Sequence, residues 1–286
     1  MRYSQSGILK DTRPWGKMFV AGAAAVTLAV GMFAAVSATH NSTGCTFDDT
    51  TTPGTWSLTA DCTTTAPIEV PADTIVEGNG HTITANFNFV SNASGINKVV
   101  GLAGSDNVTI NDLTVDSGAS VGLQGINVYE STGVVLNDVT TMNNDKSGLV
   151  VNGSEVTVNN ITTSGNTWHG INVAQGSGVT APSVLTVLGN STQTDMWHIY
   201  LDDIVAQDVS VVDVNNQYNV SAPVTSPVDR PNDQLYTLKP EALVKADCKN
   251  GGHLNVFNNA GGAFKNQGQC VAFVVANENA SFKREQ

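Results

Sequence analysis

The sequence repeats one phrase three times, as VTINDLTVDSG (Val108–Gly118), VVLNDVTTMNN (Val134–Asn144) and VTVNNITTSGN (Val156–Asn166). A second phrase follows each copy and reads GINV from Gly125, GLVV from Gly148 and GINV from Gly170. Repeats of 22 to 26 residues are typical of proteins built from stacked turns of the chain. We therefore expect this stretch to form a solenoid.

Apolar residues alternate with polar ones inside the phrases, as in Val108-Thr109-Ile110. A spacing of two places apolar side chains on one face of a strand and cannot follow one face of a helix. The chain is therefore predicted to be all-β, with little helix outside residues 8–38. A polar column formed by Asn111, Asn137 and Asn159 predicts an inward-facing ladder of amide hydrogen bonds.

The segment before the repeats reads TWSLTADCTTTAPIEVPADTIVEGNGHTITA (Thr55–Ala85). Its residues Asp61-Cys62, Pro67–Pro71 and Gly78–Ile83 resemble the opening turn of bacterial right-handed parallel β-helix proteins, which share the pectate-lyase-like fold. The resemblance implies a right-handed, single-stranded parallel β-helix over residues 39–220. Its first turn would act as an N-terminal cap that covers an exposed strand edge.

Residues 1–38 have the composition of an export segment. Residues 1–17 carry four basic side chains and one acidic one, and residues 18–38 are an uninterrupted run of apolar and small residues. The triplet Val36-Ser37-Ala38 predicts a signal peptide cleaved after Ala38. The apolar run is also long enough to span a bilayer, so an N-terminal membrane anchor is the alternative. On either reading we expect a protein that is secreted or anchored to the outer face of the cytoplasmic membrane.

The net charge and the cysteines agree with export. The net charge is −12 for the whole chain and −15 without residues 1–38, which disfavours nucleic acid and anionic lipid as partners. Contact with a membrane is expected only through residues 18–38, if they remain uncleaved. Four cysteines in an exported chain predict two disulfides. Proximity along the chain pairs Cys45 with Cys62 and Cys248 with Cys270, although three connectivities are formally open.

Two further segments follow the predicted β-helix. Residues 221–235 contain three prolines and are predicted to form a semi-stiff linker. Residues 236–286 are predicted to form a small C-terminal Cys-pair module. Its CKNGG start (Cys248–Gly252) and FKNQGQCV finish (Phe264–Val271) resemble a short terminal module of secreted bacterial proteins. A disulfide-closed hairpin is the expected structure of this module.

Candidate binding residues follow from alignment of the turns on Gly125, Gly148, Gly170 and His198. One aligned column contains Lys146, Trp168 and Met196, and the next contains Gln124, Ser147, His169 and Trp197. These columns lie at a turn, where aromatic residues are not core filling by default. Tryptophan rings stack on sugars, so a glycan-binding patch is predicted at Lys146, Trp168, His169, Trp197 and His198. The alternative is that these rings pack beneath the insertion Ala174–Ser183.

Candidate catalytic residues are Asp145, Asp195 and His169. The alignment places Asp145 and Asp195 in one column two turns apart, a separation of about 9 to 10 Å, close to that used by inverting glycoside hydrolases. The step His169-Gly170-Ile171 resembles the HG step of polygalacturonases, but the other motifs of those enzymes do not occur. Thr74–Val220 contains two lysines and no arginine against 13 acidic residues, whereas polysaccharide lyases need basic groups.

No cofactor is predicted, and calcium is the alternative, with Asp202 and Asp203 as its candidate ligands, although their spacing matches no known calcium loop. The favoured hypothesis is an exported or envelope-attached β-helix protein that binds a polysaccharide or cell-surface glycan without catalysis, since a fold by itself supplies no reaction. The alternative is a polysaccharide-degrading enzyme, either a glycoside hydrolase or a polysaccharide lyase, that works along the Asp145–His198 face.

Overall fold

The repeated phrases fold as short strands, and the equivalent strands of successive turns lie side by side. A computed structural model describes residues 39–42, 44–50, 52–90, 97–176, 178–221, 232–239, 248–249 and 264–276. The strands in chain order are β1 (Thr39–Ser42), β2 (Cys45–Asp48), β3 (Thr55–Leu58), β4 (Cys62–Thr64), β5 (Ile68–Glu69), β6 (Ile75–Ala85), β7 (Lys98–Ala103), β8 (Thr109–Asp116), β9 (Gln124–Tyr129), β10 (Val134–Asn137), β11 (Thr140–Met142), β12 (Leu149–Asn152), β13 (Glu155–Asn159), β14 (Thr162–Ser164), β15 (Ile171–Ala174), β16 (Ser183–Leu188), β17 (Thr192–Gln193), β18 (Ile199–Leu201), β19 (Val209–Asp213), β20 (Tyr218–Val220) and β21 (Gln234–Leu238). One helix, α1 (Gln267–Ala276), follows them.

The strands form two sheets. Sheet 1 has 13 strands in the order β1-β2-β3-β6-β8-β10-β13-β16-β19, with β4, β11, β14 and β17 beside this path. Sheet 2 has eight strands in the order β20-β21-β18-β15-β12-β9-β7-β5. Strand pairs within the repeats are parallel. This arrangement confirms the predicted parallel β-solenoid, in which about four turns repeat regularly.

The hydrophobic core is a set of aliphatic columns that follow from the pairing register. Leu136 of β10 pairs with Ile110 on one side and with Val158 on the other. All three side chains point inward and are fully buried. Strands of sheet 2 contribute the facing columns in the same way. Each turn therefore buries its apolar residues only by stacking on its neighbours, as in other solenoids.

Each repeat bends at one residue, which lies inside β8 in the first repeat, between β10 and β11 in the second and between β13 and β14 in the third. The residue at the bend is Asp112, Asp138 or Asn160, with φ values of 47°, 53° and 57°. Asn and Asp tolerate this left-handed conformation better than other residues with a Cβ. Asn160 Nδ2 also donates a hydrogen bond of 2.9 Å to Asp138 Oδ1. The Asn-Asp or Asn-Asn step of each phrase is therefore the sequence signal for this bend.

The predicted asparagine ladder exists, but its predicted direction is wrong. Asn137 Nδ2 donates to Asn111 Oδ1 at 2.8 Å, and Asn111 Nδ2 donates to Glu77 Oε1 at 2.9 Å. Asn159 is in register with Asn137. These residues are half-buried on the outer face of sheet 1, because the preceding aliphatic residues of the same strands point inward and successive side chains alternate.

A second amide ladder does lie inside the turn between sheets 1 and 2. Asn144 Nδ2 donates to Asn166 Oδ1 at 2.7 Å, and both side chains are buried. The glycines that open the GLVV and GINV phrases lie against this polar column. A Cβ on Gly170 would clash with Thr163 Oγ1 and would lie 2.9 Å from Asp195 Oδ2. The column therefore explains why glycine recurs at these positions.

Antiparallel strands lie at both ends of the described solenoid, and a disulfide joins two residues at the N-terminal end. At the N-terminal end, β1 pairs with β2 and β2 pairs with β3, and the predicted Cys45–Cys62 disulfide is present. At the other end, β21 pairs with β18 and β20. Gln234 and Leu235 therefore belong to sheet 2, although the sequence placed them in the linker. The prolines of that segment lie outside the described residues.

The C-terminal segment contains the predicted Cys248–Cys270 disulfide, but the expected hairpin is wrong for residues 267–276, which form α1. Phe264, Cys270 and Val274 are buried together. Cys270 and Val274 are four residues apart, a spacing that places both on one face of a helix. Within the described part of the chain, no helix is both long enough and apolar enough to cross a membrane. The predicted export segment, residues 1–38, lies outside that part.

Replacement of Gly170 by alanine tests the packing of the inner polar column. We expect Gly170→Ala to lower the free energy of unfolding by about 1 to 3 kcal/mol, because the added methyl group meets side chains fixed inside the turn. Urea denaturation measures the loss. Gly101→Ala is the control, since its Cβ would meet only the flexible ends of Glu69 and Lys98. Equal losses in the two variants would contradict this account.

Candidate functional site

Three turns of the chain bring aromatic side chains to one edge of sheet 2. Because β12, β15 and β18 pair in register, the residues two positions before these strands stack in one column, namely Ser147, His169 and Trp197. Trp168 precedes His169 in the turn, and Tyr200 is the second residue of β18. We call Trp168, His169, Trp197 and Tyr200 the aromatic shelf.

The rings of the shelf contact one another in a continuous stack. The centroid of His169 lies 4.3 Å from that of Tyr200 and 5.4 Å from that of Trp197, with interplanar angles of 22° and 24°. Trp168 meets His169 edge-on at 6.4 Å. Trp168 is 49% exposed, whereas His169 is only 8% exposed. The shelf therefore presents one half-exposed tryptophan ring supported by packed rings.

Lys146 extends the shelf toward the preceding turn. Its Nζ lies 4.8 Å from the ring centroid of Phe89 and 5.2 Å from that of Trp168. These distances are within the range of cation–π attraction. Lys146 and Trp168 were predicted as site residues. Phe89 was not, because it precedes the regular repeats and has no equivalent in the aligned turns.

His169 is held as a neutral imidazole. Its Nδ1 lies 3.0 Å from Ser147 Oγ in a buried hydrogen bond. Burial lowers the pKa of His169 to about 4, although the nearby charge of Asp233 favours protonation. A buried ring disfavours the charged form because it loses hydration. His169 therefore packs and hydrogen-bonds at neutral pH and does not carry a positive charge.

Tyr200 and Asp233 belong to the site but were not identified from the sequence. The Tyr200 hydroxyl donates a hydrogen bond to Asp233 Oδ2, and the backbone N–H of Asp203 donates to Asp233 Oδ1 at 2.9 Å. Asp233 is fully buried. It comes from beyond the proline-rich segment, so the repeats could not reveal it. The repeats do contain a signal for Tyr200, because it is in register with Asn172, whose side chain points outward.

His198 lies beside the shelf but has a structural contact. The backbone N–H of Leu238 in β21 donates to His198 Nδ1 at 2.8 Å, which requires that this nitrogen be unprotonated. Burial lowers the pKa of His198, and the charge of Asp195 opposes this shift. His198 was predicted to contact ligand, and in the structure its Nδ1 instead fastens β21 to the end of sheet 2.

The two candidate catalytic carboxylates do not share a column. Asp195 is 6% exposed, and its Oδ1 accepts a 2.7 Å hydrogen bond from the backbone N–H of Asn166, so it extends the inner amide ladder. Asp145 Oδ2 accepts a 2.7 Å bond from the backbone N–H of Gly122. The sequence alignment failed here because the turn before β18 is two residues shorter than the turn before β15.

A groove of about 740 Å³ runs along the outer face of sheet 2. Amide side chains dominate its lining, namely those of Asn97, Gln124, Asn127, Asn152, Asn172, Gln175 and Gln207. Tyr129 and Lys98 also contribute to it, and Asp202 is the single carboxylate of the lining. Gln124 is in register with Ser147 of the shelf column. The groove and the aromatic shelf therefore occupy neighbouring parts of one face.

The insertion Ala174–Ser183 forms a wall of this groove. Gln175 Nε2 donates to Ala181 O at 2.9 Å, and the backbone N–H of Gly176 donates to Asn152 Oδ1 at 2.6 Å. Val179 is buried and packs against Gly153. These contacts of the described insertion lie at the end of β12, whereas the shelf precedes the strands. They support the exposed patch over the alternative in which the insertion covers the rings.

The candidate calcium ligands have different surroundings. Asp202 is buried and lines the groove. Asp203 Oδ1 accepts a 3.2 Å hydrogen bond from the backbone N–H of Ala206 and so stabilises the turn before β19. Over the residues that the structure describes, no group of three or more His, Cys, Asp or Glu side chains could hold a metal ion.

The pH dependence of stability tests the burial of His169. Between the folded pKa of about 4 and the unfolded value of about 6.5, the unfolded chain binds more protons, so stability falls as the pH is lowered. We expect the protein to lose about 2 to 3 kcal/mol more than His169→Phe between pH 7 and 4.5. Urea titrations at both pH values measure this difference. Identical losses in both proteins would contradict a buried neutral His169.

Comparisons with known proteins assign this chain to no family. No family model matches this chain, no curated protein matches it, and no solved structure matches it.

Proposed function

We propose that this protein is an exported or envelope-attached β-solenoid that binds a polysaccharide or cell-surface glycan without cleaving it. The observation that carries the proposal is the exposed Trp168 ring on a packed aromatic shelf beside an amide-lined groove. An apolar ring face next to convergent hydrogen-bonding groups is the chemistry of a sugar site, because a sugar has apolar C–H faces and a rim of hydroxyls.

Contacts within the protein hold the aromatic shelf in place, which favours binding by a preformed surface. His169 stacks beneath its neighbours and is hydrogen-bonded to Ser147, and Lys146 lies over the Trp168 ring. These contacts restrict the exposed ring before any ligand arrives. A side chain that is already ordered loses little conformational entropy on binding, so more of the contact energy appears as affinity.

The arrangement of carboxylates favours a binding protein over a glycoside hydrolase. Hydrolysis uses two carboxyl groups on either side of the scissile bond. The groove lining contains only Asp202, while Asp195 is buried in the inner ladder and Asp145 accepts a backbone hydrogen bond. A lyase needs cations at the bond it breaks, and the lining supplies only Lys98.

Export and attachment to the envelope are part of the proposal. Two disulfides, Cys45–Cys62 and Cys248–Cys270, are typical of oxidising compartments outside the cytoplasm. The basic and apolar composition of residues 1–38 supports transport across the membrane, with either cleavage or retention as an anchor. The resemblance of residues 61–83 to bacterial pectate-lyase-like proteins agrees with a glycan at the outer surface.

Truncation of Trp168 tests the binding surface. We expect Trp168→Ala to weaken binding to the best ligand from a glycan array by about tenfold or more. Stability should fall by no more than about 1 to 2 kcal/mol, because the ring is half-exposed and contacts only the His169 edge and Lys146 among the described aromatic and cation–π pairs. Calorimetry and urea denaturation measure the two effects. Val212→Ala, at 48% exposure on β19, is the control. Unchanged affinity in Trp168→Ala would contradict the proposed surface.

An assay for polysaccharide cleavage tests the proposal that the protein binds its glycan without catalysis. We expect the protein to release neither reducing ends nor unsaturated products from plant and microbial polysaccharides, because the groove lacks a second carboxylate. Reducing-sugar and absorbance assays detect both products. Release that disappears in Asp145→Asn and Asp195→Asn, with binding retained, would instead establish the enzyme alternative.

A further inference from the structure

We propose that the glycan bound in the groove is neutral, with hydroxyl or acetamido groups and without carboxylate or sulfate groups. This inference rests on the proposed function and defines its ligand class. It comes from the charges and the hydrogen-bonding groups that line the groove. A binding site discriminates between ligands through the groups that a wrong ligand would leave unpaired or repelled.

The single basic residue of the groove lining is already neutralised. Lys98 Nζ forms an ion pair of 2.9 Å with Glu69 Oε1, and the Lys98 side chain is only 13% exposed. An anionic sugar would have to compete with this carboxylate for the ammonium group. It would also meet the carboxylate of Asp202 in the same lining. Among the described lining residues, no other side chain carries a positive charge.

Lys146, the cation beside the aromatic shelf, also has contacts within the protein. Lys146 lies between the rings of Phe89 and Trp168, at 4.8 and 5.2 Å from their centroids. The net charge of −12 adds a repulsive field for acidic polymers, which salt only partly screens.

The amides of the lining complement hydroxyl groups. Asn127 on β9 and Asn172 on β15 are both in register with Val150 on the intervening β12, so these two amides lie two strand spacings apart, about 9.6 Å. Asn152 Oδ1 accepts a bond from the backbone N–H of Gly176, and Asn127 Nδ2 donates one to Gln124 Oε1. Each amide group has further hydrogen-bonding capacity beyond that one protein contact. An amide offers both donors and an acceptor, as a hydroxyl does. A carboxylate only accepts, so amide oxygens facing it would remain unpaired.

A matched pair of ligands tests this inference. The best-binding neutral oligosaccharide from a glycan array is compared with the same oligosaccharide after oxidation of its C6 hydroxymethyl groups to carboxylates. We expect the oxidised form to bind at least about tenfold more weakly, and the difference to grow as the ionic strength is lowered. Equal or tighter binding of the oxidised form, or an array dominated by uronates or sulfated glycans, would overturn the inference.

A substitution in the groove gives a second readout. Asn172→Asp should weaken binding of the neutral oligosaccharide, because it removes two donors and adds a charge to the groove. Thr157→Ala, on the outer face of sheet 1, is the control for general effects. Unchanged or tighter binding of the neutral oligosaccharide by Asn172→Asp would overturn the neutral-ligand inference alone. Absence of binding to every glycan would overturn the proposed function and this inference together.

Discussion

The structure depends on the register in which each turn of the chain pairs with the next. Parallel backbone hydrogen bonds join equivalent residues, such as Leu136 with Val158 and Leu149 with Ile171. A shift of one residue would turn every aliphatic column outward. The shared register also aligns the polar columns, so Asn144 reaches Asn166 and Asn137 reaches Asn111. Core and polar ladders thus enforce the same alignment, which is a condition for a single native structure.

The same register assembles the candidate site without any long loop. His169 and Trp197 stack because they occupy equivalent positions in consecutive turns, and the groove gains one set of polar side chains from each strand that it crosses. A surface built in this way is wide, regular and carried on strands rather than loops. It suits a repeating polymer better than a single small molecule, because several units can meet similar groups along the axis.

The periodic apolar residues of the repeats predict the strands and their stacking, and the resemblance of residues 61–83 implies that the strands are parallel. Proximity along the chain favours the two cysteine pairs that the structure contains. The position of Asp195 was not predictable by the same means. A turn two residues shorter places it in the inner ladder, where its Oδ1 accepts a bond from the backbone N–H of Asn166. Asp233 and the strand β21 were also missed, since an antiparallel strand that returns to the solenoid has no counterpart in the repeat.

The distribution of ionisable groups is the reason that we propose a binding surface rather than a hydrolytic centre. Catalysis needs carboxyl groups that face substrate with pKa values tuned apart. Here the most buried carboxylates already have protein partners: Asp233 accepts bonds from Tyr200 and Asp203, and Asp195 accepts one from Asn166. The group whose pKa is lowered to about 4 is His169, and this shift keeps the stacked ring neutral. Burial thus stabilises the shelf and leaves amides and an aromatic ring as the groups that face solvent, which favours recognition over bond cleavage.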